Sequence, residues 1–409
     1  PPPPPPPQVV DEIEKIKRNR EARRVQLQTQ RSERASMEEA MRPRVQFRRM
    51  IQDFREGLPP ADAGPAVPPS RSRLSVFVRK RPINDEERLA QQYDVVTVMD
   101  RSSLVVHEPK TTVDLTRCLE NHAFAFDGVF DDRCSSDEVY ETAVRHHLHT
   151  TLAGGVVTCL AYGQTGSGKT YTMDRVTLRV VDDLFVLVSD PSRADTALCV
   201  SYFEVYMAKV FDLLSDRKEL AVREDRHGDV QVVGLHHAVV DSPQDVLDLV
   251  AKGQACRRTG ATQANADSSR SHALLQLMLC DARGYIKGKV CLVDLAGSER
   301  GADTNAADKH TRLEGAEINK SLLALKECVR ALDKESHHTP FRGSKLTQVL
   351  RDCFISPQAH TVMVATISPP TVAWEHTLNT LRYANRLKEI GVRRASRRPG
   401  SARPTRPAP

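Results

Sequence analysis

Continuous apolar runs, each bounded by polar or turn-forming residues, recur between residues 74 and 390 and are missing on either side. They read LSVFV from Leu74, DVVTVM from Asp94, SLVVHE from Ser103, VVTCLAY from Val156, ALCVSYFEVY from Ala197, ALLQLMLC from Ala273, KVCLVDLA from Lys289 and TVMVATIS from Thr361. Runs without alternation are what strands buried on both faces look like. Between them, helical periodicity appears over 136–152, 243–254, 315–332 and 345–353. Strands alternating with helices predict a three-layer α/β sandwich around a mixed, largely parallel central sheet. No internal repeat is visible.

The flanks differ in kind. Residues 1–10 open on seven prolines, a stub unable to join a core. Residues 11–58 form a basic helical neck, in which 11–41 is charged, free of Gly and Pro and poor in apolar residues. That predicts a solvated helix held by ion pairs three and four apart. A second short helix, 47–55, ends at Gly57, and 59–73 reads as a Pro/Ala/Gly linker. Residues 391–409 read as a disordered Arg/Pro/Ser tail.

Charge follows the same division. The formal net charge is +6, yet 11–55 hold 13 Lys/Arg against 8 Asp/Glu, and 391–409 hold 6 Arg and no acid. Two basic arms around a near-neutral domain favour an acidic partner, without choosing between protein, nucleic acid and membrane. Aromatic content is 5% and no nucleic-acid-binding motif appears, so a nucleic-acid partner is not expected. The nine cysteines include no CxxC pair, and several lie inside apolar runs, which fits reduced thiols in a cytosolic or nuclear compartment. No apolar stretch reaches bilayer-spanning length and no signal peptide opens the chain, so a soluble intracellular protein with no membrane partner is expected.

The sharpest chemistry is GQTGSGKT, Gly163, Gln164, Thr165, Gly166, Ser167, Gly168, Lys169 and Thr170, which directly follows the run VVTCLAY. Its glycines let the backbone turn N–H groups onto phosphate oxygens, and the helix that follows adds its N-terminal dipole. Lys169 is expected to reach the β and γ oxygens, and the Thr170 hydroxyl to ligate Mg²⁺. In KVCLVDLAGSER a buried strand ends at Asp294, placed for the metal, and Gly297 can offer its amide to the γ-phosphate. In NADSSRSH, from Asn265 to His272, Ser268 and Ser269 are candidates to orient water and Mg²⁺, and Arg270 to pair with Glu299 when the γ-phosphate pulls both loops inward.

At these residues the chain resembles the kinesin motor family: its phosphate loop, first switch (NxxSSRSH) and second switch (DLAGSE) are all present in the family's order. The resemblance runs from Leu74 to about Ile390 and makes 74–390 a kinesin motor domain of phosphate-loop NTPase type. It implies ATP as the nucleotide and Mg²⁺ as the metal, held by Thr170, Ser269 and Asp294, partly through water. By resemblance, RKRP at Arg79 to Pro82 lines the adenine pocket through Arg79, Arg81 and Pro82, Tyr171 is the stacking aromatic, and Asn265 joins the nucleotide contacts. Lys169, Ser268, Ser269, Arg270, Gly297 and Glu299 then form the catalytic set.

The segments SERGADT, TRLEGAEINKSLLALKECVRAL, HTPFRGSKLTQVLRD, LNTLRYANRLKEI and HEPKTTVDLTRCLEN are most similar to the kinesin-13 group, which depolymerises microtubules from their ends. That resemblance implies tubulin contacts at Val113, Asp114, Lys326, Glu327, Arg330, Arg342 and Lys345. It also implies residence in the cytoplasm on the microtubule cytoskeleton, with spindle, centrosome or kinetochore as sites, and allows a homodimer formed through regions outside this chain. Residues 326, 327 and 330 share one helix face by spacing alone. Two departures stand out: Thr112 occupies the place of the group's finger lysine, and a helical pattern follows Met173 where the family inserts a longer loop. They leave open a filament-binding kinesin with weakened ATPase coupling. A translocating plus-end kinesin is a third reading, disfavoured because residues beyond Val392 carry no dimer-forming heptads.

Overall fold

The computed structural model describes residues 43–59, 73–193, 195–226, 228–259, 268–299, 309–333 and 339–396, together with Arg20, Glu21, Arg23 and Arg24. Those four residues, all helical, are the only described part of the charged segment 11–41. Most of the 59–73 linker and the tail beyond Ser396 lie outside the described residues.

The chain divides into two units, one of residues 1–59 with 107–121 and one of residues 60–106 with 122–409. The larger unit is built on an 11-stranded sheet. In chain order the strands among the described residues are β1 (Leu74–Lys80), β2 (Val96–Val98), β3 (Ser103–Thr111), β4 (Arg117–Ala125), β5 (Gly128–Phe130), β6 (Val156–Tyr162), β7 (Ala197–Tyr206), β8 (Lys209–Asp212), β9 (Lys218–Glu224), β10 (Val230–Val233), β11 (Ala238–Val240), β12 (His272–Cys280), β13 (Ile286–Asp294) and β14 (Ala359–Ile367). Among the described residues, the helices of eight residues or more are α1 (Pro43–Glu56), α2 (Ser136–Ala143), α3 (Lys169–Val188), α4 (Pro243–Thr259), α5 (Lys309–Asp333) and α6 (Trp374–Ser396).

The sheet runs β10-β9-β8-β7-β12-β13-β6-β14-β1-β5, with β11 beside β7. Its centre, β13-β6-β14-β1-β5, is parallel, and the flank from β12 outward is antiparallel. The central strands are the continuous apolar runs of the sequence: in β6 every residue after Val156 is buried, and β12 is buried throughout. One face of the sheet packs on Val139, Tyr140 and Ala143 of α2 and Val176, Val180, Val181 and Leu184 of α3. Helix α6 lies against β1, β14 and α5. The parallel strands β6 and β13 therefore end at one edge, where the phosphate loop and Asp294 come together.

The helix expected over 136–152 is broken. A Ser135 capping box starts α2, which stops at Val144. A 3₁₀ turn, Arg145–His147, intervenes before a last helical turn, Leu148–Leu152. The break holds a stack of imidazoles: His146 and His147 have ring centroids 3.9 Å apart, and His147 lies 4.8 Å from His360 of β14. Strands β8 to β10 and β4 carry no continuous apolar run and are additions to the expected strands. No helix among the described residues is long and apolar enough to cross a membrane.

In the smaller unit, α1 accompanies the outer halves of β3 and β4, which form a hairpin. The turn closes through Thr112 N–H to Thr116 O at 2.9 Å and Leu115 N–H to Thr112 O at 3.0 Å. Leu115 has φ +64°, a left-handed conformation that costs a non-glycine residue about 1 kcal/mol. Val113 and Leu115 are nevertheless almost wholly exposed, so no apolar burial at the tip offsets that cost.

The histidine stack makes acid sensitivity an expected property. Burial, with His146 and His360 nearby, pushes His147 down to about 3, and burial with Arg257 and Lys169 does the same for His272. An unfolded histidine takes up a proton near pH 6.5, so the unfolded state binds more protons below that pH and stability falls as pH falls. At pH 5 the loss is about 2 kcal/mol for His147 alone. Urea midpoints measured at pH 7.5 and pH 5 should therefore separate in the native protein and separate by less in His147→Leu; an unchanged gap contradicts the assignment.

Candidate nucleotide site

The loop between β6 and α3 takes its shape from its glycines. A Cβ at Gly163 would stand 2.2 Å from the Thr366 carbonyl oxygen, so the loop lies against β14 only because no side chain is there. Gly168 has φ +97° and serves as the N-cap of α3, which turns the chain into the helix with its first amides directed at the loop. Ser167 Oγ fixes the loop further, bonding Gln164 O and Thr366 Oγ1 at 2.7 Å each. Lys169 is buried, and its Nζ donates to the carbonyls of Gly163 (3.0 Å) and Gln164 (2.9 Å).

Asp294 stands at the end of β13, level with Ala161 of β6. Its Oδ2 accepts from Thr170 Oγ1 at 2.8 Å and from Arg257 Nη1 at 3.3 Å, while its Oδ1 is buried without a hydrogen-bond partner among the described residues. A buried carboxylate oxygen beside a threonine hydroxyl is the hard oxygen donor set that suits Mg²⁺, so these residues fit the metal. When bound, Mg²⁺ neutralises phosphate charge during transfer. Arg257 is the residue that sequence reasoning missed here. It donates from Nε to Ser271 Oγ and from Nη2 to Ser271 O, and lies 3.8 Å from Glu204. Glu204 is also bound by Arg217 at 2.7 Å. Removing one partner of such a buried network costs about 3–5 kcal/mol.

Where the base is expected lies a cavity of about 670 Å³ whose lining includes Arg79, Arg81, Pro82, Gly166, Ser167 and Tyr171. The Arg79 guanidinium lies 5.3 Å from the centre of the Tyr171 ring and donates to Thr172 Oγ1 at 3.0 Å. Tyr171 itself is exposed, leaving a ring face for a base. Arg81 is held by Glu87 and by the Gly166 carbonyl at 2.7 Å.

The two switch segments meet the loop. Ser298 N–H reaches Gly163 O at 3.1 Å, and Gly297 N–H donates to Ser269 O at 2.7 Å. The Glu299 carboxylate binds Thr165 through its N–H (3.0 Å) and its hydroxyl. Arg270 Nη1 donates to Glu314 Oε2 of α5 at 2.6 Å, while its pairing with Glu299 is expected once the γ-phosphate draws both loops inward. Glu314, 2% exposed, also accepts from the Tyr206 hydroxyl. The physical reason is that Glu314 offers a desolvated carboxylate on α5, while Thr165 already satisfies Glu299. His272 makes a second link to α5. Its Nδ1 accepts from Ala296 N–H at 3.0 Å, and its Nε2 bonds Ser321 Oγ at 2.7 Å. Burial keeps this imidazole neutral, which that acceptor role requires. Asn265 lies outside the described residues, as does the side chain of Ser268.

The filament-contact candidates fall in separate places. Lys326, Glu327 and Arg330 lie on α5, where Arg330 and Glu327 approach to 3.9 Å. Arg342 is paired with Glu224, and Lys345 lies 3.4 Å from Gln348 Oε1. Val113 and Asp114 sit at the hairpin tip, where Asp114 accepts from the hydroxyls of Thr112 and Thr116.

A mixed sheet with a parallel centre, a glycine loop opening a helix and a metal-suited aspartate on the neighbouring strand define a phosphate-loop nucleotide hydrolase. Residues 79–390 match the family described as Kinesin motor domain, and the chain belongs to the kinesin motor family. It is a microtubule-associated, ATP-driven motor, a microtubule-stimulated ATPase that binds ATP with Mg²⁺ and is associated with the cytoskeleton.

The Arg270–Glu314 pair yields a direct expectation. A charge-assisted bond is worth about 1.5–3 kcal/mol, or roughly ten- to a hundredfold in an equilibrium, of which a neutral partner keeps a part. Glu314→Gln keeps the shape and weakens the pair, so Arg270 moves more readily toward the nucleotide. Turnover without microtubules should rise, up to roughly tenfold, and the stimulation by microtubules should shrink. Unchanged basal turnover would show that the pair does not restrain the site.

Proposed function

We propose that this motor acts on microtubule ends in the manner of the kinesin-13 group, coupling Mg-ATP hydrolysis to the bending and removal of terminal tubulin. The observation that carries this reading is the hairpin tip. A left-handed Leu115 and the exposed apolar side chains of Val113 and Leu115 are unfavourable in isolation, while Asp114, held by two threonine hydroxyls, fixes the shape of the tip. Such features persist where they meet a partner. Thr112, in place of a lysine, makes the tip less cationic, so apolar contact by Val113 and Leu115 carries more of the engagement than charge does.

In this reading Lys326, Glu327, Arg330, Arg342 and Lys345 meet tubulin, and a basic neck over 11–58 keeps the motor near its acidic surface. Ser268, Ser269, Arg270 and Glu299 position the attacking water or relay its proton, with Arg270 leaving Glu314 for Glu299 as the γ-phosphate arrives. Spindle or centrosome residence would follow from end activity.

One observation favours a second reading, a filament-binding kinesin with weak turnover. Helix α3 runs unbroken from Lys169 to Val188, with no insertion over the pocket. Turnover and the length of stabilised microtubules, followed on one preparation with and without ATP, decide between them. ATP-dependent shortening at both ends, lost in Lys169→Ala, is the expected result. Binding without shortening would overturn the depolymerase and leave the second reading.

A further inference from the structure

Helix α1 and the hairpin are separated by about fifty residues of sequence, yet fold as one unit. The hairpin beyond His107 has little core of its own. Residues 110–116 are all exposed, and the opposing strand from Arg117 to Asn121 is at best half-buried. A two-stranded ribbon of that kind is marginal in water unless another element covers a face. Among the described residues of the unit, helix α1 is the element in contact with the hairpin. Phe47, Ile51 and Phe54 fall at positions i, i+4 and i+7, the apolar stripe of an amphipathic helix, and Phe47 and Ile51 are buried. Phe54 meets His107 edge to face with centroids 4.8 Å apart, and Gln46 Oε1 accepts from Arg117 Nη1. The two contacts grip both strands, one on β3 and one on β4. His107 is fully buried and bonds Asn121 across the hairpin at 2.7 Å, so the grip falls on the rung that holds the strands together.

We propose that α1 is the support of the hairpin, with Phe54 a positioning residue that acts through His107 to hold the tip at Val113 and Leu115 in place. The last turns of the neck then serve a purpose separate from the charge of residues 11–41: they make the hairpin stiff enough to transmit force. This rests on the end-acting reading above, and the test separates the two.

The full chain is prepared as native, Phe54→Ala and Phe54→Tyr, the last keeping the ring. Amide hydrogen exchange is followed over 107–121 and, as an internal control, over 156–170, alongside ATP turnover without filaments and ATP-driven shortening of stabilised microtubules. In Phe54→Ala, exchange over 107–121 should rise at least tenfold and shortening should fall at least fivefold. Turnover without filaments and exchange over 156–170 should stay at the native level, and Phe54→Tyr should restore both affected quantities. Exchange over 107–121 within twofold of native in Phe54→Ala overturns the support, as does a loosened hairpin that shortens filaments at the native rate. If the native chain shortens nothing, the end-acting reading fails, and the exchange comparison still decides whether α1 supports the hairpin.

Discussion

The nucleotide end of the sheet is organised around one buried carboxylate, that of Asp294. Removing an ionised oxygen from water is costly unless opposite charge and hydrogen-bond donors replace the lost hydration. Thr170 and Arg257 supply part of that replacement on Oδ2. The remaining oxygen is the natural ligand for a divalent cation. This requirement reaches outward. Thr170 can bond Asp294 only if the loop turns sharply into α3, which the left-handed Gly168 permits. Arg257 can serve it only if Glu204 and Ser271 hold the guanidinium in place. The parallel register of β6 and β13 puts all of them at one level.

From that centre the connections run to α5. Arg270 reaches it through Glu314, and the main chain after Asp294 reaches it through Ala296, His272 and Ser321. The same helix carries Lys326, Glu327 and Arg330 further along. A helix is stiff over this length, so a change of partner at Glu314 is felt along the whole element. If Lys326, Glu327 and Arg330 meet tubulin as proposed, this is a physical route by which the filament acts on phosphate chemistry at the other end of α5.

The fold was legible in the sequence where burial on both faces forces unbroken apolar runs, as in VVTCLAY and ALLQLMLC. The phosphate loop was legible because glycine, lysine and threonine at fixed spacing have few other uses. The break at Val144 was not legible, since 136–152 keeps helical periodicity across it and the three stacked histidines come from two distant segments. Strands β8 to β10 were hidden by their half-exposed, polar composition. Glu314 and Arg257 were missed because each is a single charged residue in a charged helix, and only three-dimensional burial distinguishes it from a solvated neighbour. The pairing of Arg270 is set by which carboxylate is desolvated, a property that no spacing records.

The most direct measurement of the central role of Asp294 is the Mg²⁺ dependence of ATP turnover in the native chain and in Asp294→Asn. The substitution keeps the shape and removes the charge that a divalent cation needs. It should raise the Mg²⁺ concentration for half-maximal turnover by roughly tenfold or more, since even one weakened charged contact is worth about 1.5–3 kcal/mol. Turnover in Asp294→Asn at the native rate and with the native Mg²⁺ requirement would contradict the assignment of this carboxylate as the centre of the site.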